Sequence, residues 1–364
     1  MVIDALIIGA GPAGLATSRE LSARGIAHVV LERGPTIAHT WENLYDGLVL
    51  HTGKHFSALP GMPFPKSTPI FPRRRDFLDY LARYSQHFQV PVTTSAEVTT
   101  VEHASGAWRV RVNSGSEFDA RSVVVATGIV SNPTVPEFPG RSHFAGAVMH
   151  SAAYRNPLPY KTERILVVGA GNSAGEISVE LANAGARVTV AVRNGAPVVP
   201  RELAGIPIQY FGVALGALPR GVQRGISSAV SGASAWTRPS PLPRGVPGPC
   251  SAIPLIGFHL VDAIRAGRIR VKPGIREFTA HGVRFTDDSA DAFDRVILAT
   301  GYRAALGFLC GRVRTDPCGF GARHDRVISD DQPNLYFVGH NYDTRGGLRN
   351  IGEDARRAAR LLAS

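Results

Sequence analysis

Only three cysteines occur among 364 residues, Cys250, Cys310 and Cys318, and no two of them form a C-x-x-C pair. Neither a redox-active dithiol nor a thiolate zinc site is indicated, so no metal is expected. The three read as buried apolar fillers in a reduced, cytoplasmic protein. No apolar stretch approaches the roughly 20 residues that a membrane span requires. No charged n-region or cleavage site follows Met1, so neither insertion nor secretion is indicated. Acidic residues are in short supply, 29 against 40 basic ones, which leaves a formal net charge of +11. That balance favours anionic partners such as phosphorylated cofactors. The basic residues are scattered arginines with one short run at Arg73, Arg74 and Arg75, and no RNA- or DNA-binding motif accompanies them. No nucleic acid is expected as a partner.

What is present is a globular composition, 44% hydrophobic and 19% charged, on a chain of 364 residues. Length alone suggests about two domains of roughly 150 residues each. One pattern then occurs twice. Val2 to Ile8 is an apolar run that enters Gly9-Ala-Gly11-Pro-Ala-Gly14 and a helical stretch from Leu15 to Arg24. Ile165 to Val168 enters Gly169-Ala-Gly171-Asn-Ser-Ala174 and a helical stretch from Gly175 to Ala184. A second apolar run follows in each half, His28 to Leu31 and Arg187 to Val192, and each half closes on Ala-Thr-Gly, at Ala126, Thr127 and Gly128 and at Ala299, Thr300 and Gly301.

Each glycine turn thus follows a predicted strand and opens a predicted helix. The first glycine permits the tight turn, the second lets the backbone approach a pyrophosphate, and the third position packs helix on strand. The helix N-terminus offers unpaired N–H groups to the phosphates. The fold class expected is α/β, with two Rossmann-like dinucleotide-binding domains. A strand and helix at Asn334 to Val338 and Leu348 to Leu362 need a partner sheet, and the first module supplies it, which makes the second module an insertion in the first. The boundaries expected are 1–150 with 301–364 for the first domain and 151–300 for the second. Residues 197–258, rich in Gly, Pro, Ser and Ala, read as an irregular excursion, a lid or substrate region in which Tyr210, Phe211 and Trp236 could line a pocket.

Residues at the end of the second strand identify each nucleotide. Glu32 stands 23 positions after Gly9, where a carboxylate accepts ribose hydroxyls and repels a 2′-phosphate. Arg193 stands 24 positions after Gly169 with no carboxylate near it, and a guanidinium suits a phosphate dianion. FAD is expected on the first turn and NADPH on the second.

Gly169-Ala-Gly-Asn-Ser-Ala-Gly-Glu176 resembles the second dinucleotide motif of the class B flavin-dependent monooxygenases. Phe144-Ala-Gly-Ala-Val-Met-His150-Ser-Ala-Ala-Tyr154 is similar to their hinge signature F-x-G-x-x-x-H, and Ala299-Thr-Gly-Tyr302 is similar to their second hinge. Within that class, Leu31-Glu32-Arg33, Trp41, Leu50-His51-Thr-Gly-Lys54-His-Phe56, Leu59-Pro-Gly-Met-Pro-Phe-Pro65 and Val199-Pro-Arg-Glu202 resemble the YUCCA-type enzymes and their bacterial relatives. Amine-oxidising members carry Asn where this chain has His51. At Ile253 to Gly257 the chain lacks the acidic residue that YUCCA-type chains usually carry after a similar proline.

The resemblance implies a monooxygenase that uses FAD, NADPH and dioxygen, forms a flavin C4a-(hydro)peroxide and passes one oxygen atom to a small organic substrate. The reaction would be 2-oxo acid decarboxylation or S- or N-oxygenation. The alternative is an NADPH oxidase or electron-transfer reductase without oxygen insertion, and a homodimer is left open. It further implies that Gly9, Gly11, Pro12, Ala13 and Gly14 hold the FAD pyrophosphate, with Glu32 and Arg33 at the adenosine end and Trp41, His51 and Thr52 beside the ring. Gly171, Asn172, Ser173 and Ala174 would hold NADPH, with Arg193 on its 2′-phosphate. Ala126, Thr127 and Gly128, Thr300, Gly301 and Tyr302, and Leu348, Arg349 and Asn350 would complete the cofactor sites. His51 and Asn172 are the candidate catalytic residues, His150 a hinge contact, and His340 occupies a position where many such flavoproteins have Asp.

Overall fold

The computed structural model describes every residue except Met1, Ser105, Ala196, 216–220, 222–239, 244–253 and Thr344. Trp236 and Cys250 therefore lie outside the described residues. The chain divides into two compact units, one formed by Met1–Asn43, Thr52–Asn132 and Tyr302–Ser364, the other by Leu44–His51 and Pro133–Gly301.

In the first unit the central strand Val2–Ile8 runs parallel to His28–Leu31 on one side and to Glu117–Val125 on the other. Leu6, Ile7, Val123, Val124 and Val125 are fully buried, as parallel strands covered on both faces must be, and this is why they read as unbroken apolar runs. The strand Leu335–Phe337 lies parallel beside Val123 to Val125, so the C-terminal segment does return to the first sheet across the inserted module. A hairpin of Val98–Ala104 and Ala107–Val112 extends that sheet by antiparallel pairing to Glu117–Val125. The last helix, Gly347–Leu362, buries Ala355, Ala358 and Ala359.

In the second unit five parallel strands take the order Ile269–Lys272, Arg187–Ala191, Arg164–Val168, Arg295–Leu298 and Ala147–His150. Ile165, Val167, Ile177, Leu181, Val188, Leu260 and Ile297 form its core. Residues 133–150, assigned to the first domain by pattern, fall in this second unit because Ala147–His150 pairs along Arg295–Leu298 as an edge strand. Leu44–His51 joins it too, with Tyr45 in the core.

Within 197–258 the described residues form two-residue strands at Val198–Val199, Glu202–Leu203, Ile206–Pro207 and Leu255–Ile256, and one helix, Ile208–Leu215. The reading of the cysteines as buried, reduced fillers is corrected: Cys310 is an exposed free thiol, and Cys318 is disulfide-bonded. Among the described residues no helix is long and apolar enough to cross a membrane.

Candidate functional site

The two glycine turns share one construction. Gly9 and Gly169 adopt φ of +103° and +130°, in the region that only glycine enters without strain. A methyl on Gly9 would stand 2.7 Å from the Ala126 carbonyl oxygen, and one on Gly169 would stand 2.4 Å from that of Ala299. Each Ala-Thr-Gly segment therefore closes its sheet directly against the first glycine of its turn. At Gly11 and Gly171, by contrast, a methyl would meet nothing within 4 Å.

Those two glycines are the N-caps of the helices Pro12–Ser22 and Asn172–Asn183, neither end has a side-chain cap, and neither first turn carries an acid. Two helix N-termini with unpaired N–H groups thus face open space left by a missing side chain, an arrangement that fits a pyrophosphate at each. Pro12 stands at the first helical position, where it costs no hydrogen bond. The third positions differ. A methyl on Gly14 would lie 1.8 Å from the Gly9 carbonyl oxygen, whereas Ala174 carries its own methyl fully buried.

Glu32 is buried, and its two carboxylate oxygens accept from the Ala10 amide at 2.8 Å and the Gly34 amide at 2.9 Å. One lone pair per oxygen is left for ribose hydroxyls. Arg33 is exposed, Trp41 packs edge-on to Phe77 with ring centroids 4.6 Å apart, and Thr52 shares a hydrogen bond of 2.6 Å with Ser57. Thr127 donates to the Ala305 carbonyl at 3.2 Å, and Gly128 has φ of +72°.

At the N-terminus of the last helix Leu348 is buried, Arg349 lies 5.1 Å over the Phe56 ring, and Asn350 is fully buried, donating to the Asn341 carbonyl at 3.1 Å. Pattern reading missed what anchors this end. Asp354, with no exposed surface, accepts from Gly339 N at 3.3 Å, from Asn341 Nδ2 at 2.8 Å and from Arg326 Nε at 3.0 Å. An acid in a long charged helix gives no sign of burial in sequence. His340 is fully buried and stacks on Phe337, and its Nδ1 accepts from Gly321 N at 3.4 Å. Burial, and then cationic Arg323, hold its pKa down near 3, so it stays neutral with its proton on Nε2.

In the second unit Asn172 is engaged through both polar atoms: Nδ2 donates to the Pro254 carbonyl at 3.2 Å and Oδ1 accepts from Ile256 N at 2.8 Å. Its side chain braces the 254–256 segment against the nucleotide turn. Ser173 is half-buried. Arg193 is exposed, makes no ion pair among the described residues, and has its stem fixed against Gly274, where a methyl would come within 3.2 Å of Arg193 Cβ. Thr300 donates to the Thr134 carbonyl at 2.6 Å, and the Gly301 carbonyl accepts from Thr134 N at 2.9 Å.

His150 bridges these ends of the insert. Its Nδ1 accepts from Ala152 N at 3.1 Å, which puts the ring proton on Nε2 to donate to the Gly301 carbonyl at 3.2 Å. Tyr302, next in sequence, falls in the first unit and is half-buried.

His51 lies in a polar cluster that pattern reading did not assemble. Its Nε2 stands 3.4 Å from Glu176 Oε1, Tyr45 donates to Glu176 Oε2, and Arg201 Nη2 donates to the Leu50 carbonyl at 3.0 Å. Burial raises the Glu176 carboxyl to about 7, while burial, then Arg201 and His259, lower His51 to about 4.

A family model for pyridine nucleotide-disulphide oxidoreductases matches residues 6–199. The chain is 39% identical over 316 residues to indole-3-pyruvate monooxygenase YUCCA1 of Oryza sativa subsp. japonica, covering 83% of this chain and 77% of that one. It is 36% identical over 383 residues to YUCCA4 of the same plant, covering 97% and 86%. Among solved structures it is similar to a flavin-containing monooxygenase from Stenotrophomonas maltophilia, with a TM-score of 0.80, 25% identity, and 100% and 98% of the two chains covered. Two dinucleotide turns of this construction, in a chain this similar to those enzymes throughout, make it a member of the YUCCA-type flavin-dependent monooxygenases, an oxidoreductase that uses FAD and NADPH.

Proposed function

We propose that the first turn holds FAD, that the second holds NADPH, and that the enzyme oxygenates a 2-oxo acid bearing an apolar side chain. The observation that carries the nucleotide assignment is the contrast at matched strand ends, a buried acid at Glu32 and an exposed guanidinium at Arg193 with no ion pair among the described residues. The substrate class is carried by the relatives above 30% identity, which are named indole-3-pyruvate monooxygenases.

When bound, the flavin supplies the redox and oxygen chemistry, and the polypeptide binds, orients and excludes water. Gly11, Ala13 and Gly14 would present backbone N–H groups to the FAD pyrophosphate, Gly9 would shape the turn while its own N–H donates to the Leu31 carbonyl, and Glu32 would accept from the ribose. Gly171, Ser173 and Ala174 would do the same for NADPH, with Arg193 on the 2′-phosphate. The helix beginning at Gly347, with no acid in its first turn, would offer its positive end to negative charge on the flavin. The overall change is RCOCOOH + O2 + NADPH + H⁺ → RCOOH + CO2 + H2O + NADP⁺.

The test supplies purified, FAD-loaded enzyme with NADPH and an aromatic 2-oxo acid under labelled dioxygen. One labelled oxygen atom in the carboxylic acid product, with matching NADPH consumption, is the expected result. NADPH consumption that yields only reduced oxygen species with every 2-oxo acid, sulfide and amine supplied refutes the oxygenation reading.

A further inference from the structure

Glu176 lies one turn into the helix that opens at Asn172, and helical side chains lean back toward the N-terminus. Its carboxyl is surrounded by groups from three other segments. Tyr45 donates to Oε2, and Oε1 lies 3.4 Å from His51 Nε2. Arg201 faces both side chains with a positive charge, and His259 faces His51 from the helix His259–Arg265. Glu180, one turn further along, adds a like charge and is itself held by Tyr154 at 2.8 Å, with Asp46 acting on it in turn. His51 Nδ1 is shielded from solvent and has no hydrogen-bond partner among the described residues.

We propose that Glu176 is a positioning acid for His51: the two share one proton between Oε1 and Nε2, and its place decides whether Nδ1 meets a bound molecule as a donor or as an acceptor. With the carboxyl protonated, its O–H donates to Nε2 and the neutral ring carries its own proton on Nδ1. With the carboxylate ionised, Nε2–H donates to Oε1 and Nδ1 presents a lone pair. Passing from the first state to the second breaks the O–H and Nδ1–H bonds, forms the Nε2–H bond and releases one proton from Nδ1. The ring is neutral at both ends of the change. Burial places the carboxyl near 7 and the imidazolium near 4, so the change falls in the neutral range without the ring becoming charged. The use of this proton in turnover rests on the assignment of the second turn to NADPH.

The test is a pH titration of the FAD-loaded enzyme carrying ¹⁵N-labelled histidine, with the His51 signals identified by their loss in His51→Asn. Between about pH 5 and 9 the Nδ1 and Nε2 shifts should exchange character with a midpoint near 7 and no imidazolium signature. In Glu176→Gln, which keeps the shape and the acceptor for Tyr45, an amide N–H caps Nε2 permanently. The ring should then hold its proton on Nδ1 across the range. In Tyr45→Phe the carboxylate loses a donor that favours its charged form, so the midpoint should move up. A ring that protonates to imidazolium with one midpoint in wild type and Glu176→Gln overturns the proposal, as does the absence of any tautomer change in wild type. The tautomer change belongs to the pair alone, so it survives if the nucleotide assignment fails. A comparison of NADPH with NADH in Arg193→Ala tests that assignment separately.

Discussion

Replacing Arg193 with Ala removes one guanidinium from an exposed strand end, where it touches no acid among the described residues and supports no core. The fold should therefore be unaffected, and the whole effect should fall on the nucleotide. A charge-assisted hydrogen bond is worth about 1.5–3 kcal/mol, and solvent exposure with salt screening places this one at the lower end. A loss of about 1.5–2 kcal/mol corresponds to roughly a 10- to 30-fold weaker NADPH affinity. NADH lacks the 2′-phosphate, so its affinity should change less than about twofold, well under one decade. The assay is the apparent KM and Kd for both nucleotides, measured at two salt concentrations. Wild type should lose part of its preference for NADPH as salt rises, and the variant should show no such dependence. Equal losses for NADPH and NADH would refute the role of Arg193, and with it the assignment of the second turn by charge.

Three further outcomes follow from the same geometry. Gly11→Val should fold, since a Cβ there meets no protein atom within 4 Å, yet it should retain no FAD because the valine would fill the path of the pyrophosphate; stoichiometric flavin in the purified variant would contradict this. Gly14→Ala should behave in the opposite way and lose stability, because its methyl would overlap the Gly9 carbonyl oxygen, whereas Ala174→Gly in the other turn should cost about 2 kcal/mol by urea denaturation, from helix propensity and one lost buried methyl. Asp354→Ala should destabilise by about 2–3 kcal/mol in the same assay, since it leaves the Gly339 and Asn341 donors without their buried acceptor while Arg326 keeps Glu353.

Strand, turn and helix were legible wherever local pattern and tertiary role coincide. Val123 to Val125 are buried on both faces and β-branched, and Gly9 and Gly169 sit where only glycine fits, so composition and geometry agree. The edge strand Ala147–His150 was not legible as part of the second sheet. Four half-apolar residues carry no mark of a partner at Arg295–Leu298, nearly 150 positions on. Nor could spacing bring Tyr45 and His51 to Glu176, since those contacts are set by a chain segment that joins the second unit from outside its main run. Asn172 was found by motif, but its bonds to Pro254 and Ile256 depend on a loop with no pattern of its own. The cysteines were misread for a similar reason: spacing speaks to C-x-x-C pairs and is silent on whether Cys318 is bonded or Cys310 is exposed.

The pair formed by His51 and Glu176 also makes an opposed contribution to stability, and the signs can be worked through. The Glu176 pKa is raised in the fold, from 4.5 to about 7. The folded state therefore holds the extra proton across that window, and stability falls as pH rises through it. The His51 pKa is depressed, from 6.5 to about 4. There the unfolded state holds the extra proton, and stability rises with pH. Each shift alone corresponds to roughly 3 kcal/mol, and from about pH 4.5 to 6.5 the two slopes oppose one another. The pair should thus leave wild-type stability nearly level over that range, apart from the background of other groups. Glu176→Gln removes one of the two slopes. Relative to wild type, its urea midpoint should rise with pH between about 4.5 and 6.5 by the amount of the lost glutamate slope, and its own curve should then show the histidine slope alone. A difference curve that stays flat would mean that the Glu176 carboxyl is not raised as its burial requires.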